Sequence, residues 1–575
     1  MTAAASAALR LPVAILWHMH QPQYRDALSG EYVLPWTYLH ALKDYSDMAA
    51  HLEEVPGAKA IVNFTPVLIE QLDEYAERVA RHLRSAEPLG DPLLATLGSE
   101  PLPIDGEARL ALLRALLRAH RVHLIERNPP FLDLVRLAES LASPERAAYI
   151  SDALLHDLSV WYHIAWTGES IRRSDLRIAA LMSAERGYTA AQRRTLLELI
   201  GEVLAGILPR YRALGASGRV ELSVTPYGHP IIPLMFDLHS ARDSQPAAEL
   251  PKHRVYDGGA DRAAWHVAES MRVFQEHFGE RPRGCWPAEG AVSTETLALL
   301  DGFGFEWAAT SANVLRASLG DAADDPRSYE RGWRVGAQGM RNFFRHDHLS
   351  DAIGFEYARW HGDHAAEHFA GEVGALADRL RAEAPQDFGN RVLLIALDGE
   401  NAWEHYPFNG YYFLRGMYAA LAADPRLELV TLAEICAREP ETGVLPAMKA
   451  GSWVHGTLST WIGDPVKNAA WDLLCEAKQV FDRVVVEGAL DESAVAAAER
   501  QLALCESSDW FWWFGDYNPA EAVRQFDELY RRQLTNLYRL LQIEAPSALS
   551  VPLQHGVMSS GAAELGGAMR RSNAG

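Results

Sequence analysis

The sequence predicts an α/β protein, an incomplete (β/α)7-type barrel with a helical insertion and a C-terminal helical bundle. Three observations predict it. Short apolar runs recur along the chain, helical stretches separate them, and each run ends in polar, Gly or Pro residues. Continuous apolar runs of this length suit parallel strands covered on both faces. A parallel barrel collects the residues that follow its strands on one face.

The runs come in order. Pro12–Trp17 leads into His18-Met19-His20, and Ala58–Phe64 into Thr65-Pro66. Val220–Val224 leads into Thr225-Pro226-Tyr227-Gly228-His229, and Arg283–Trp286 into Pro287-Ala288-Glu289. Phe305–Thr310, Arg341–Arg345 and Val392–Leu397 follow, the last two leading into His346-Asp347-His348 and Asp398-Gly399-Glu400. Glu428–Leu432 offers one more run. Helical spacing fills gaps such as Asp261–Phe278 and Thr294–Gly302.

Residues 66–215 break this rhythm. They are rich in Leu, Ala, Arg and Glu, with helical spacing in Arg109–Ile125 and Gln192–Arg212. The segment reads as an insertion after the second strand, placed to form a lid over a cleft. Residues 1–450 are therefore expected to form the barrel with its insertion, and 451–548 a helical domain. In the latter, Asp464-Pro465 is a helix start signal. Trp471, Leu474, Cys475, Phe481, Val484 and Val485 then form an apolar stripe, and Arg524–Leu541 is a second strong helix. The Gly/Ala/Ser-rich tail 549–575 is expected to be flexible.

Bulk properties exclude several classes. A formal net charge of -22 opposes a nucleic-acid backbone and an anionic membrane surface, and suits a neutral partner. The four cysteines, Cys285, Cys436, Cys475 and Cys505, lack the spacing of a zinc cluster or disulfide framework and read as reduced, buried thiols. The N-terminal apolar run leads into polar residues rather than a cleavage site, so no signal peptide is expected. No run approaches ~20 apolar residues, so no membrane span is expected and the compartment reads as cytoplasmic. There is no phosphate-binding loop, dinucleotide fingerprint or Gly-x-Ser-x-Gly elbow, and no cofactor is expected. The 16 Trp and 20 Tyr, many in polar loop-like stretches, suit a cleft that stacks sugar rings as well as a core.

Five clusters carry chemistry. In His18-Met19-His20-Gln21-Pro22, strand alternation puts both histidines on one face. They fit a metal pair completed from His346-Asp347-His348, and equally a pair of hydrogen-bonding histidines. Tyr227 to Pro233 is a Pro-stiffened loop presenting Tyr227 and His229. Trp286-Pro287-Ala288-Glu289-Gly290 places one carboxyl after a strand. Asp398-Gly399-Glu400-Asn401-Ala402-Trp403 places two more after a buried strand, where carboxylates are costly unless they react or pair. Cleavage of a glycosidic bond needs two carboxyl groups, one to attack or activate water and one to give a proton. Glu289 with Asp398 or Glu400 would supply them. The fifth cluster is aromatic: Trp453, Trp461 and the stretch Asp509 to Asp516, which includes Trp510.

These five clusters, in this order across about residues 13–515, resemble glycoside hydrolase family 57. The resemblance implies the seven-stranded barrel, a following helical domain and a retaining mechanism without metal. It implies Glu289 as nucleophile and Asp398 as general acid/base. His18, His20, His229 and Trp286 would hold the sugar at the cleaved bond, and Glu400 and Trp403 would support it. Gln21, Tyr227, Asp347, Trp461, Asp509 and Trp510 are the remaining candidate substrate contacts. The Asp398-Gly399-Glu400-Asn401 form, with Thr460-Trp461-Ile462-Gly463, is similar to the α-amylase and amylopullulanase members and departs from the branching ones. The expected activity is retaining hydrolysis of α-1,4-glucans. The alternatives are 4-α-glucanotransfer, a metal-dependent α-mannosidase or polysaccharide deacetylase, and a non-catalytic glucan-binding protein.

Overall fold

The computed structural model describes residues 9–325, 328–336 and 339–554. The strands are β1 (Leu11–Met19), β2 (Ala60–Phe64), β3 (Val220–Val224), β4 (Gly284–Cys285), β5 (Trp307–Ser311), β6 (Trp333–Val335), β7 (Arg341–Arg345), β8 (Leu393–Asp398), β9 (Leu427–Leu429) and β10 (Gly443–Leu445). Seven of them, β1, β2, β3, β4, β5, β7 and β8, lie side by side in parallel. Pairing of β7 with β8, Arg345 opposite Leu394, closes the barrel.

Each apolar run but Glu428–Leu432 becomes a barrel strand because both of its faces find cover. One face packs outward against helices. The other fills the interior, where Leu16, Ile61, Trp286, Trp307, Phe343 and Leu394 form a compact core. Alternation along the strands then dictates what comes next on the inward face. Leu16 is followed by His18, Ile61 by Asn63, Phe343 by Arg345, and Ala396 by Asp398. The barrel is therefore apolar at its base and polar at its top.

The three three-residue strands lie outside this ring. β9 pairs with β1, β6 runs antiparallel to β7, and β10 pairs with β6. β6 and β10, three residues each, carry too little pattern to be read from sequence. The run Glu428–Leu432 is a strand only to Leu429, because Thr431 caps a helix that begins at Leu432.

Between β2 and β3 the named elements are all helical, from Pro66–Ser85 to Ala190–Ala216. Arg109–Ile125 is not one helix: Gly106–Ala115 ends, and Arg121–Glu126 follows as a wider π-helical turn. Beyond the barrel lie the helices Pro465–Glu487, Glu492–Cys505, Ser508–Trp513 and Ala520–Leu540. The first starts where expected, with Asp464 accepting from the amides of Val466 and Lys467. From residue 555 the tail lies outside the described residues. The four cysteines are buried and unbonded. Among the described residues no helix is long and apolar enough to cross a membrane.

Glycine is required where β4 meets β5. A Cβ on Gly284 would stand 1.8 Å from the Trp307 ring. Gly284→Ala is expected to lower the thermal unfolding midpoint, overpacking costing about 1–3 kcal/mol. Gly206, inside a helix, has nothing within 4 Å of such a methyl. Gly206→Ala should leave the midpoint unchanged or raise it, since alanine favours helix. Scanning calorimetry of the two variants checks both expectations.

Candidate active site

The site is built from one layer of inward-facing residues. Strand register sets Asp398 beside His18, His18 beside Asn63, and Asn63 beside Ser223. Arg345 sits beside Ser311 on the far side. Gly399 makes the Asp398–Glu400 turn fit: its amide donates to His18 O at 2.7 Å, and a Cβ there would strike Met19.

Glu289 follows β4 on a strained bend, with φ 55° and ψ 24°. His229 also has positive φ, 58°. Each such non-glycine residue costs on the order of 1–3 kcal/mol, so the fold holds them there against their preference. Trp453 grips Glu289 twice. Its backbone amide donates to Glu289 O at 3.1 Å, and its indole N–H donates to Glu289 Oε2 at 2.8 Å. The edge of Trp286 meets Trp453 at a centroid distance of 5.2 Å. The Arg345 guanidinium lies 5.2 Å from the Trp453 ring centroid. Arg345 is fixed by Asp347 at 2.8 Å, by Asp351, and by Ala396 O at 3.2 Å.

Asp398 accepts from the Asn401 amide at 2.8 Å. Burial pushes its carboxyl up to about 6, against the opposing pull of Asn401, His20 and Arg345. Burial, and then the charge of Asp398, push Glu289 well above the carboxylate range, and the Trp453 donor pulls it back. Burial and Asp398 likewise raise Glu400. Glu400 Oε1 accepts from the His20 amide at 3.1 Å and from Gln21 Nε2 at 3.3 Å. Three carboxyls thus crowd one desolvated space, where full ionisation is costly.

The histidines form a second group. His18 Nδ1 meets Asn63 Oδ1 at 2.7 Å, and its Nε2 meets His229 Nε2 at 3.1 Å. His229 Nδ1 meets Ser508 Oγ at 2.8 Å. The facing Nε2 atoms hold one shared proton, so a positive charge on either ring is disfavoured. Burial agrees, holding His18 near about 3 and His229 well below the usual imidazole range. His20 stacks on His229 at 3.8 Å, and its Nε2 meets Asp509 at 2.8 Å. The helix Ser508–Trp513 therefore completes the group from outside the barrel.

His20, His229 and Asp509 bring ligating atoms within 4.8 Å of one another, close enough to hold a cation. A cation there would displace the His20–Asp509 and His18–His229 hydrogen bonds. The expected third source of ligands does not join them. His346 instead caps a short helix through Leu349 N, and Asp347 holds Arg345.

The candidate aromatic residues divide. Trp286 lies in the barrel interior beneath Glu289. Trp403 is buried and donates to Gly399 O at 2.8 Å, bracing the Asp398 turn. Tyr227 is buried, with its hydroxyl on Glu70 at 3.1 Å and its ring under Arg500 at 4.8 Å. Trp461 and Trp510 are fully buried, beside Trp512 and Tyr530 respectively. Tyr227 thus meets the C-terminal helices through Arg500, while Trp461 and Trp510 pack among rings of the C-terminal region, because large rings in this chain are used first to fill space.

The sequence assigns no site role to Asn63, Thr65, Arg345 or Ser508, and it places Asn401 and Trp453 in their clusters without showing that they hold Asp398 and Glu289. A polar Asn inside the apolar run Ala60–Phe64 was one available signal. A buried Arg ending the sixth apolar run, at Arg345, was another. Ser508 carried none, since its partner is distant in sequence.

The fold and site define a class: a parallel barrel with buried carboxyl groups at the carboxyl ends of its strands, in a cleft of imidazoles and indoles. The chain belongs to glycosyl hydrolase family 57, whose sequence profile matches residues 14–448. Solved structures share the fold. A branching enzyme of this family from Pyrococcus horikoshii aligns with TM-score 0.56 at 16% identity, covering 94% of this chain and 96% of that one. A family branching enzyme from Thermococcus kodakaraensis aligns with TM-score 0.56 at 15% identity, covering 92% and 90%. The α-amylase AmyC of Thermotoga maritima aligns with TM-score 0.56 at 14% identity, covering 94% and 95%. Equal scores for branching enzymes and an amylase mean that the fold does not separate these activities.

Trp453→Phe removes the donor to Glu289 and keeps the ring. A hydrogen bond to a charged group is worth about 1.5–3 kcal/mol, so kcat/KM is expected to fall about 10- to 100-fold. Losing that donor raises the Glu289 pKa, so the acidic limb of the pH–kcat/KM profile should move to higher pH. An unmoved limb would show that the indole N–H does not act on Glu289.

Proposed function

We propose that the chain is a retaining glycoside hydrolase of α-1,4-glucans. The observation that carries this reading is the buried carboxyl pair, Glu289 held by Trp453 and Asp398 by Asn401, on facing strand ends of one barrel. A buried pair that cannot readily ionise twice suits a reaction needing one acid and one base. The turn Asp398-Gly399-Glu400-Asn401 supports hydrolysis over branching, and the glucan activities named for the structural neighbours support the substrate class.

In this reading the retained proton, which burial and the charge of Asp398 favour on Glu289 in the free protein, lies on Asp398 in the sugar complex and passes to the departing glycosidic oxygen. Glu289 attacks the anomeric carbon as an anion. The growing positive charge of the sugar favours the carboxylate that faces it, and the Trp453 donor stabilises that anion. Asp398, now ionised, takes a proton from water, which then releases the sugar from Glu289. The neutral His18–His229 pair, whose ring nitrogens are taken by Asn63, Ser508 and each other, places no cation beside the cationic transition state. His20, oriented by Asp509, and Gln21, oriented by Glu400, would fix the same sugar. The chain's reduced thiols suit a cytoplasmic enzyme.

Incubation with maltoheptaose should yield shorter maltooligosaccharides. Glu289→Gln and Asp398→Asn should each lower kcat on the order of 10⁴-fold. Retained activity in Glu289→Gln would sink the nucleophile assignment, and a ladder of longer products would mean transfer to sugar rather than water. Because Asp398 acts protonated and its carboxyl sits up at about 6, kcat/KM should decline as pH rises past that value. The Asn401 amide favours the ionised form, so Asn401→Ala should move the alkaline limb upward. A downward shift would contradict the assigned role of Asp398.

A further inference from the structure

Four of the six large aromatic side chains exposed among the described residues lie on one part of the barrel's upper face, Tyr149 and Tyr517 being the two elsewhere. Among the described residues Phe355, Trp360, Phe408 and Tyr412 stand 40%, 41%, 38% and 41% exposed. All four lie in the two segments that follow β7 and β8, the strands that deliver Arg345 and Asp398. Helices in such a barrel start at the face where strands end. Trp360 precedes the helix Gly362–Glu383, and Tyr412 lies in the first turn of the helix Tyr411–Ala423. These helix starts touch: a Cβ on Gly362 would meet Tyr412 Cβ and Phe413 N, both at 3.0 Å.

The rings are rigidly mounted. Trp360 leans on Tyr357 at 5.3 Å and on His368 at 5.0 Å. Tyr357 packs on Phe413, Phe413 on Tyr406, and Tyr406 on Trp403, at 5.7, 5.3 and 5.4 Å. A continuous ladder of rings thus ties the exposed Trp360 to the turn that carries Asp398. From the insertion, Arg127 lies over Phe408 at 4.5 Å, and Arg173 donates to the Tyr412 hydroxyl at 2.9 Å. Contiguous exposed apolar surface with a polar rim marks a binding site, whereas scattered single residues do not.

We propose that this platform is a second glucan-binding site, taking an α-glucan chain outside the catalytic subsites. Trp360 and Phe355 offer preorganised rings to the C–H faces of pyranoses, while Arg127 and Arg173, lying over one face of Phe408 and Tyr412 respectively, bring donors for their hydroxyls. The platform shares a face with the catalytic carboxyls, so a polymer lying on it feeds the same cleft. A short oligosaccharide fills the cleft alone. The proposal rests on the reading that the substrate is an α-glucan.

The test compares Trp360→Ala, Trp360→Phe and Phe355→Ala with the full-length protein. On glycogen, kcat/KM of Trp360→Ala should fall about tenfold, while on maltoheptaose it changes by less than about twofold. Trp360→Phe should recover most of the loss. In a Glu289→Gln background, which needs no turnover, the chain should pellet with insoluble amylose, and Trp360→Ala should weaken pelleting about tenfold. Equal loss on both substrates, or no loss on either, overturns the proposal. So does a dimer in sedimentation that Trp360→Ala converts to monomer, since the patch would then bind a second copy. If Trp360→Ala does not fold, Phe355→Ala decides by the same split. Should the wild type cleave no glucan, the hydrolase reading fails, yet Trp360-dependent pelleting would still uphold the platform.

Discussion

Side-chain alternation along parallel strands is the constraint on which the rest of this protein depends. Every second residue points into the barrel, so one inward row per strand must serve first as core and then as site. Lower in the barrel the row is Leu16, Ile61, Ala309, Phe343 and Ala396. One step higher it is His18, Asn63, Arg345 and Asp398. A one-residue slip of any strand would exchange these rows and put a carboxyl or guanidinium among the helices outside. The bulk of Trp286 and Trp307 below secures the register, because their rings leave no room for another arrangement.

That constraint makes the site electrostatically crowded. Glu289, Asp398 and Glu400 are held near each other by backbone that has no cheaper alternative, and burial removes the water that would screen them. The structure answers with donors aimed at each carboxyl. Trp453 serves Glu289, Asn401 serves Asp398, and Gln21 with the His20 amide serves Glu400. Arg345 adds positive charge without reaching a carboxyl of the pair, since Asp347 and Asp351 hold it over the Trp453 ring. The crowding favours one retained proton, which is the state an acid and a nucleophile require.

The helices beyond the barrel are part of the same machine. Ser508 and Asp509 hold His229 and His20, and Glu506 of the preceding turn pairs with Arg262 and His266 beneath the His229 loop. Those buried charges pair well: Arg262 and His266 hold the Glu506 carboxyl down to about 2. Movement of these helices would release both imidazoles at once, so the barrel by itself would present a loosened site.

The sequence by itself determined the barrel, because apolar runs of strand length separated by helical spacing have few ways to bury both faces. It also located Glu289, Asp398, Glu400 and the histidines, because polar residues that follow buried strands emerge on one face. The insertion was legible from its helical composition. Tertiary structure alone decided what those residues touch. Closure between β7 and β8, the Trp453 grip on Glu289 and the Ser508–His229 contact join positions far apart in the chain, and no local pattern encodes such pairings. It also decided the fate of the aromatics. Trp461, Trp510 and Tyr227 went to buried packing, while Trp360 stayed at the surface. A ring's hydrophobicity is the same in both settings, and only the packing around it determines whether its face is covered.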